Sequence, residues 1–117
     1  YQIQDARIAL KKLLQINPSI SAVVCGNDVL AIGALLEAQS QGIKIPYQCS
    51  ILGFDNLELS RHIQPSLSTI HIDAIGMWSK AAHHLMSQIN GINRLPRKIL
   101  ADVSLVIRDS TGGVLKT

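Results

Sequence analysis

The sequence predicts an α/β domain built on an open parallel sheet, and three observations carry the prediction. Short apolar runs alternate with helix-length amphipathic segments along the chain. Two of those runs, at 21–25 and 50–54, are unbroken rather than alternating, the pattern of strands covered on both faces. Each then enters a polar turn, Gly26-Asn27-Asp28 after the first and Asp55-Asn56 after the second. In an open parallel sheet, ligands bind at the carboxyl ends of the strands. If both strands share one such sheet, Asn27 and Asp55 point into one crevice.

Taken in order, residues 5–15 read as an amphipathic helix, with Ala6, Leu10, Leu13 and Leu14 at helical spacing and Asp5, Lys11, Lys12 and Gln15 opposite. Asn17-Pro18 stops it, because the residue before a proline is driven out of the helical region. After the first strand, Asn27 suits the N-cap of a helix over 28–41, with Asp28 favourable in its first turn. That helix carries two stripes, Ala31-Ala34-Leu35-Ala38 and a neighbouring, largely apolar Val29-Ile32-Leu36-Gln39, where a surface helix needs one. The excess predicts that it packs on its own sheet and also meets a partner. Gly42 supplies the C-terminal cap.

Residues 57–66 read as an irregular or short-helical connection ending at Pro65, followed by a strand at 67–71. Asp73 is the expected N-cap of a helix over 74–90, whose inner face would carry Ile75, Trp78, Ala82, Leu85, Met86 and Ile89. A turn from Gly91 to Pro96, one or two strands over Ile99–Ile107 and a loose tail from Gly112 complete the chain.

With 117 residues, 47% hydrophobic, 16% charged and 3% aromatic, the chain has the composition of one small globular domain with an aliphatic core. The net charge of +3 is mild, and its basic clusters, Lys11-Lys12 and Arg94 to Lys98, are too small to argue for nucleic acid. Cys25 and Cys49 flank or enter strand runs and are expected to be buried free thiols of a reducing compartment. No apolar run approaches the roughly 18 residues that would cross a bilayer.

Catalytic and metal chemistry find no foothold. The adjacent His83 and His84 diverge on a helix, neither cysteine belongs to a Cys-x-x-Cys pair, and the phosphate-loop, dinucleotide and Gly-x-Ser-x-Gly motifs are missing from the sequence. The expectation is no enzyme, no metal and no cofactor. For Asn27 and Asp55 the residues alone leave two readings open, a helix cap and a turn closure, or an amide and a carboxylate fixing ligand hydroxyls.

Asn27-Asp28 with the following Ala-Ile-Gly-Ala-Leu, Gly42 with Ile45-Pro46, Ile51-Leu52-Gly53-Phe54-Asp55-Asn56, Pro65-Ser66-Leu67-Ser68-Thr69-Ile70 and Ser104 to Thr111 resemble the LacI/GalR family of bacterial transcription regulators. The order and spacing of these motifs, over nearly the whole chain, carry the resemblance. It implies a partial, three-layer α/β/α fold of the type I periplasmic-binding-protein kind. Residues 1–72 would match the second subdomain, 73–103 would pack on a first subdomain, and 104–111 would return as a strand. The effector core of that family is longer and follows a helix-turn-helix headpiece, so the chain is expected to begin mid-domain without the headpiece.

The resemblance further implies that Asn27 and Asp55 contact a small effector, in that family a sugar or a purine and here expected to be a sugar or sugar acid. Ile72 stands where many sugar-responsive members carry a polar residue, often Gln, and His71 beside it would point to the opposite face of a continuing strand. Ile32 and Leu35 on the helix, with Arg61, His62 and Ile63 in the connection, match the dimer contacts of the family. The implied protein is a cytoplasmic homodimeric regulator that touches operator DNA only through its headpiece and has no membrane partner. The alternative is a sugar-binding protein of a periplasmic uptake system, which shares the fold and the Asn-Asp and Gly-Phe-Asp motifs.

Overall fold

The computed structural model describes residues 1–92, 96 and 98–113. Its elements are α1 (Ile3–Ile16), β1 (Ala22–Val24), α2 (Asp28–Ser40), β2 (Ser50–Leu52), a 3-10 turn (Glu58–Arg61), β3 (Thr69–Ile72), α3 (Ala74–Ile89) and β4 (Val103–Val106). They divide into a first unit of residues 1–71 and 105–113 and a second of residues 72–104.

The first unit contains the parallel sheet. β1 and β2 pair in register Ala22 to Ser50, Val23 to Ile51 and Val24 to Leu52, and a parallel bridge joins Leu52 to Ser68 at the start of β3. Gly53 N donates to Ser68 O at 2.9 Å and Asp55 N to Ile70 O at 2.9 Å, so the ladder runs on past the end of β2. β4 pairs with β3. Leu10, Ala31, Ile32, Ala34, Leu35, Ala38, Ile51 and Leu67 close into one core, with Leu14, Val23 and Ile63 packed against it.

α1 and α2 pack closely because Gly33 has no side chain. A Cβ there would lie 2.4 Å from the Ile3 carbonyl oxygen and 2.8 Å from the Ala6 methyl. Arg7 clamps the same contact, its Nε donating to Glu37 Oε2 at 3.0 Å. The Gln41 amide, donating to Glu37 Oε1 at 2.8 Å, and then Arg7 hold the Glu37 carboxyl below its ordinary value.

One expectation for this unit is corrected. β1 is not covered on both faces: Val23 packs inward while Val24 is 74% exposed, so the unbroken apolar run overstated its burial. Ile32 and Leu35, expected at a dimer contact, are 7% and 3% exposed and belong to the core. α2 buries its first apolar stripe and Ile32 of the second inside its own unit, against α1 and the sheet, while Leu36 of the second stripe is exposed.

Asp73 caps α3 in the second unit, its Oδ1 accepting from Gly76 N at 3.0 Å. α3 is amphipathic, yet none of its residues is buried: Ile75 is 83% and Trp78 70% exposed, and Leu85, Met86 and Ile89 are exposed too. The expected strand over Ile99–Ile107 is confined to Val103–Val106. A cleft of about 340 Å³ runs along α3, lined by Lys80, His84, Leu85, Leu100 and Asp102 among others. Residues 93–95 and 97, which hold half of the expected turn and part of the second basic cluster, lie outside the described residues, as does the tail from 114. No described helix is long and apolar enough to cross a membrane.

A candidate ligand site at the carboxyl ends of two strands

Past β1 the chain must turn into α2, and Asn27 makes the turn. Its backbone is extended (φ −158°) and its side-chain Oδ1 accepts from Leu30 N at 2.8 Å, satisfying one of the free N–H groups at the helix start. With the oxygen committed to the cap, the amide nitrogen, which has no protein partner among the described residues, is available to donate to a ligand. A capping role and a binding role thus use different atoms of one side chain.

The neighbouring strand ends beside this turn. Cys25 N donates to Leu52 O at 2.8 Å and Asp28 N to Phe54 O at 2.8 Å, so the Asn27 and Asp55 loops are joined by main chain. Asp55 and the following Asn56 both adopt positive φ, 104° and 51°. For side-chain-bearing residues this costs about 1–3 kcal/mol each and persists only where the surroundings over-determine it. The Asp55 side chain is exposed and makes no salt bridge among the described residues.

The surroundings that hold this turn were not singled out by the sequence. Asp28 is fully buried, its Oδ2 accepting from Leu57 N at 2.8 Å and from the Ser60 hydroxyl, and its Oδ1 accepting from the Thr69 hydroxyl. Thr69 Oγ1 also accepts from Asn56 N at 3.2 Å. Gly53 makes room, since a Cβ there would lie 2.2 Å from Asp28 Oδ1. From the other side, Arg108 donates through one guanidinium nitrogen to Leu67 O and through another to Asn56 Oδ1, each at 2.7 Å.

That second bond leaves the Asn56 amide nitrogen facing His71 Nδ1 at 3.3 Å. His71 is exposed and reaches this turn, whereas Ile72 is half-buried and belongs to the second unit. Among the other expected site residues, Arg61 and His62 are exposed on the connection after Asp55 and Ile63 is packed on the core. Gln39 Nε2, donating to Gln64 O at 2.8 Å, ties α2 to the end of that connection. Cys25 and Cys49 are free thiols; burial, then the charge of Asp28, pushes Cys25 up to about 11, and burial raises Cys49.

The periplasmic binding protein-like domain family model matches residues 1–111. The chain is similar to the HTH-type transcriptional repressor CytR of Escherichia coli strain K12, 38% identical over 103 residues that cover 88% of this chain and 30% of that protein. It is similar to the ribose operon repressor of Haemophilus influenzae, 31% identical over 110 residues, 94% of this chain and 33% of that protein. Among solved structures it resembles a LacI family transcriptional regulator from Silicibacter pomeroyi, with a TM-score of 0.76 and 29% identity over 95% of this chain and 39% of that one. The chain therefore spans about a third of the length of these curated relatives. Their names favour a regulator over an uptake protein. The chain belongs to the periplasmic binding protein-like domain family, in the form found in the effector-binding region of LacI-type transcriptional regulators.

Proposed function

We propose that this chain is the effector-sensing and dimerising part of a LacI-type repressor or activator, with no catalytic step of its own. The observation that supports it best is the joining of the Asn27 and Asp55 loops by the Asp28 N to Phe54 O bond at 2.8 Å, at the carboxyl end of a parallel sheet. One amide donor and one unpaired carboxylate beside each other suit a ligand with vicinal hydroxyls, and a sugar or sugar acid is the class that fits.

On this reading the ligand binds between this subdomain and a first one, which also covers the apolar face of α3, with Ile72 beside the crossover. Binding then favours one subdomain orientation, and the orientation sets how a dimer presents its headpieces to an operator in the cytoplasm. The dimer surface draws on Arg61, His62 and Leu36 rather than on the enclosed Ile32 and Leu35. A twofold contact repeats that patch on both copies, and Leu36→Asp is expected to shift the full-length protein toward monomer in light scattering.

The test is a thermal-shift screen of sugars, sugar acids, sugar phosphates and purines on the full-length gene product. A specific ligand at a hundredfold excess over its Kd stabilises by about 2.7 kcal/mol. The expected hit disappears in Asp55→Ala and weakens in Asn27→Ala. A hit indifferent to both returns these residues to capping and turn closure.

A further inference from the structure

Asp28 is more than the helix start requires. Asn27 already caps α2, and a residue in the first turn of a helix gains its charge benefit at the surface, whereas Asp28 is fully buried. Burying a carboxyl is costly unless its oxygens are satisfied, and an apolar side chain would fill the same space at lower cost to folding. The sequence instead surrounds it with three donors from residues 57, 60 and 69 and leaves a glycine at 53 to admit it.

What the bonds at 57 and 69 hold is the turn that displays Asp55. Three successive backbone N–H groups are anchored there: Asp55 N to Ile70 O, Asn56 N to Thr69 Oγ1 and Leu57 N to Asp28 Oδ2. Two of the three depend on Asp28, one directly and one through the Thr69 hydroxyl that Asp28 orients. Two of the three anchored residues, Asp55 and Asn56, are the non-glycine positions held at positive φ, and Leu57 closes the turn behind them. Asp28 also carries the N–H that bonds Phe54 O, so one residue fixes the Asp55 turn and joins it to the Asn27 turn.

We infer that Asp28 is the positioning residue of the ligand site: its buried carboxyl, acting with Thr69, holds the Asp55-Asn56 turn in its left-handed conformation and so sets the affinity for effector. This rests on the reading of Asn27 and Asp55 as ligand contacts. Ser60 donates to the same carboxyl from the 3-10 turn but holds neither Asp55 nor Asn56, which separates positioning from simple stability.

The experiment compares Asp28→Asn, Thr69→Val, Ser60→Ala and Asp55→Ala in the full-length gene product. Hydrogen-exchange mass spectrometry follows peptides covering 53–58, and calorimetry follows titration with D-ribose, cellobiose and D-gluconate as probes. In Asp28→Asn and Thr69→Val, exchange at 53–58 is expected to accelerate beyond that of the α1 and β1 peptides, and the Kd of a binding probe to rise about tenfold or more. Ser60→Ala is expected to lower the melting temperature while leaving the Kd unchanged. Thr69→Val keeps the shape of the side chain and decides the question if Asp28→Asn does not fold.

Acceleration spread evenly over the whole unit, with an unchanged Kd, overturns the inference and makes Asp28 a stability residue. The exchange comparison needs no effector and decides whether the turn depends on Asp28 even if no probe binds. If Asp55→Ala binds as the wild type does, the ligand reading fails, whereas loss of binding in Asp55→Ala with wild-type affinity in Asp28→Asn and Thr69→Val fails the positioning role alone.

Discussion

In the first unit Ile51 and Leu67 are completely enclosed, while in the second Ile75 and Trp78 lie mostly in water at equally helical or strand-like positions. Both units have the patterning of folded protein, with capped helices and apolar stripes at the right period. They differ in whether the chain itself supplies the opposing surface. α2 buries Ala31, Ile32, Gly33, Ala34, Leu35 and Ala38 against α1 and the sheet. α3 has a single apolar stripe and none of its residues is buried. Amphipathic pattern thus records which face of an element is to be covered, and the folded chain alone says by what.

The sharpest way to break this comparison is to cut equivalent isoleucines from the two units. Ile51→Ala is expected to cost about 2–5 kcal/mol in urea unfolding of this chain, through lost burial and a residual cavity. Ile75→Ala should stay within about 0.5 kcal/mol, as exposed substitutions do. A comparable loss at both sites would mean that α3 is covered in solution, and concentration-dependent unfolding would identify a second copy as the cover.

Next in size is Gly53→Ala, which drives a methyl against the Asp28 carboxyl and within 3.0 Å of Leu67 Cδ2. Overpacking of this kind costs about 1–3 kcal/mol, and urea unfolding measures it. The caps come after that. Asn27→Ala and Asp73→Ala each remove one side-chain acceptor from a helix start, worth about 1 kcal/mol. The first is expected to lower the unfolding midpoint of the first unit, and the second to reduce helical circular dichroism without moving that midpoint.

The smallest effect is alkaline. Cys25 holds its proton up to about 11 in the folded chain, against 9.0 for an ordinary thiol. Between those values the unfolded chain has lost a proton that the folded chain keeps, so stability falls as pH rises through the window. Iodoacetamide at neutral pH should therefore label the folded protein far more slowly than the urea-unfolded one. Equal rates would show that the strand end opens freely.

Local chemistry was the legible part of this molecule. Asn27 and Asp73 read as caps because a cap is decided by the three residues that follow it, and Gly42 with its φ of 72° read as a helix end for the same reason. The parallel strands and the two polar turns were equally open to reading. In the sequence Asp28 shows only a favourable first-turn charge, because its partners lie 29, 32 and 41 residues away and no spacing rule connects them. Arg108, whose bond to Asn56 spans 52 residues, escaped notice as a site residue for the same reason. Ile32 and Leu35 show the limit of a pattern: the excess apolar surface on α2 is legible, but spacing alone does not say that these two side chains join the core of their own chain.

Ser110, finally, has a bearing on how the protein is made. Its hydroxyl donates to Ile51 O at 2.6 Å and accepts from Ser68 N at 2.8 Å, while its main-chain oxygen accepts from Ile51 N at 2.8 Å. Ser110 is synthesised 59 residues after Ile51 and 42 after Ser68. On the ribosome, the sheet around β2 must wait with those polar groups unclosed while the whole of α3 emerges between its two halves. Closure across so long an interval carries a loop entropy that neighbouring strands avoid, so the bonds of Ser110 are expected to be among the last of the first unit to form.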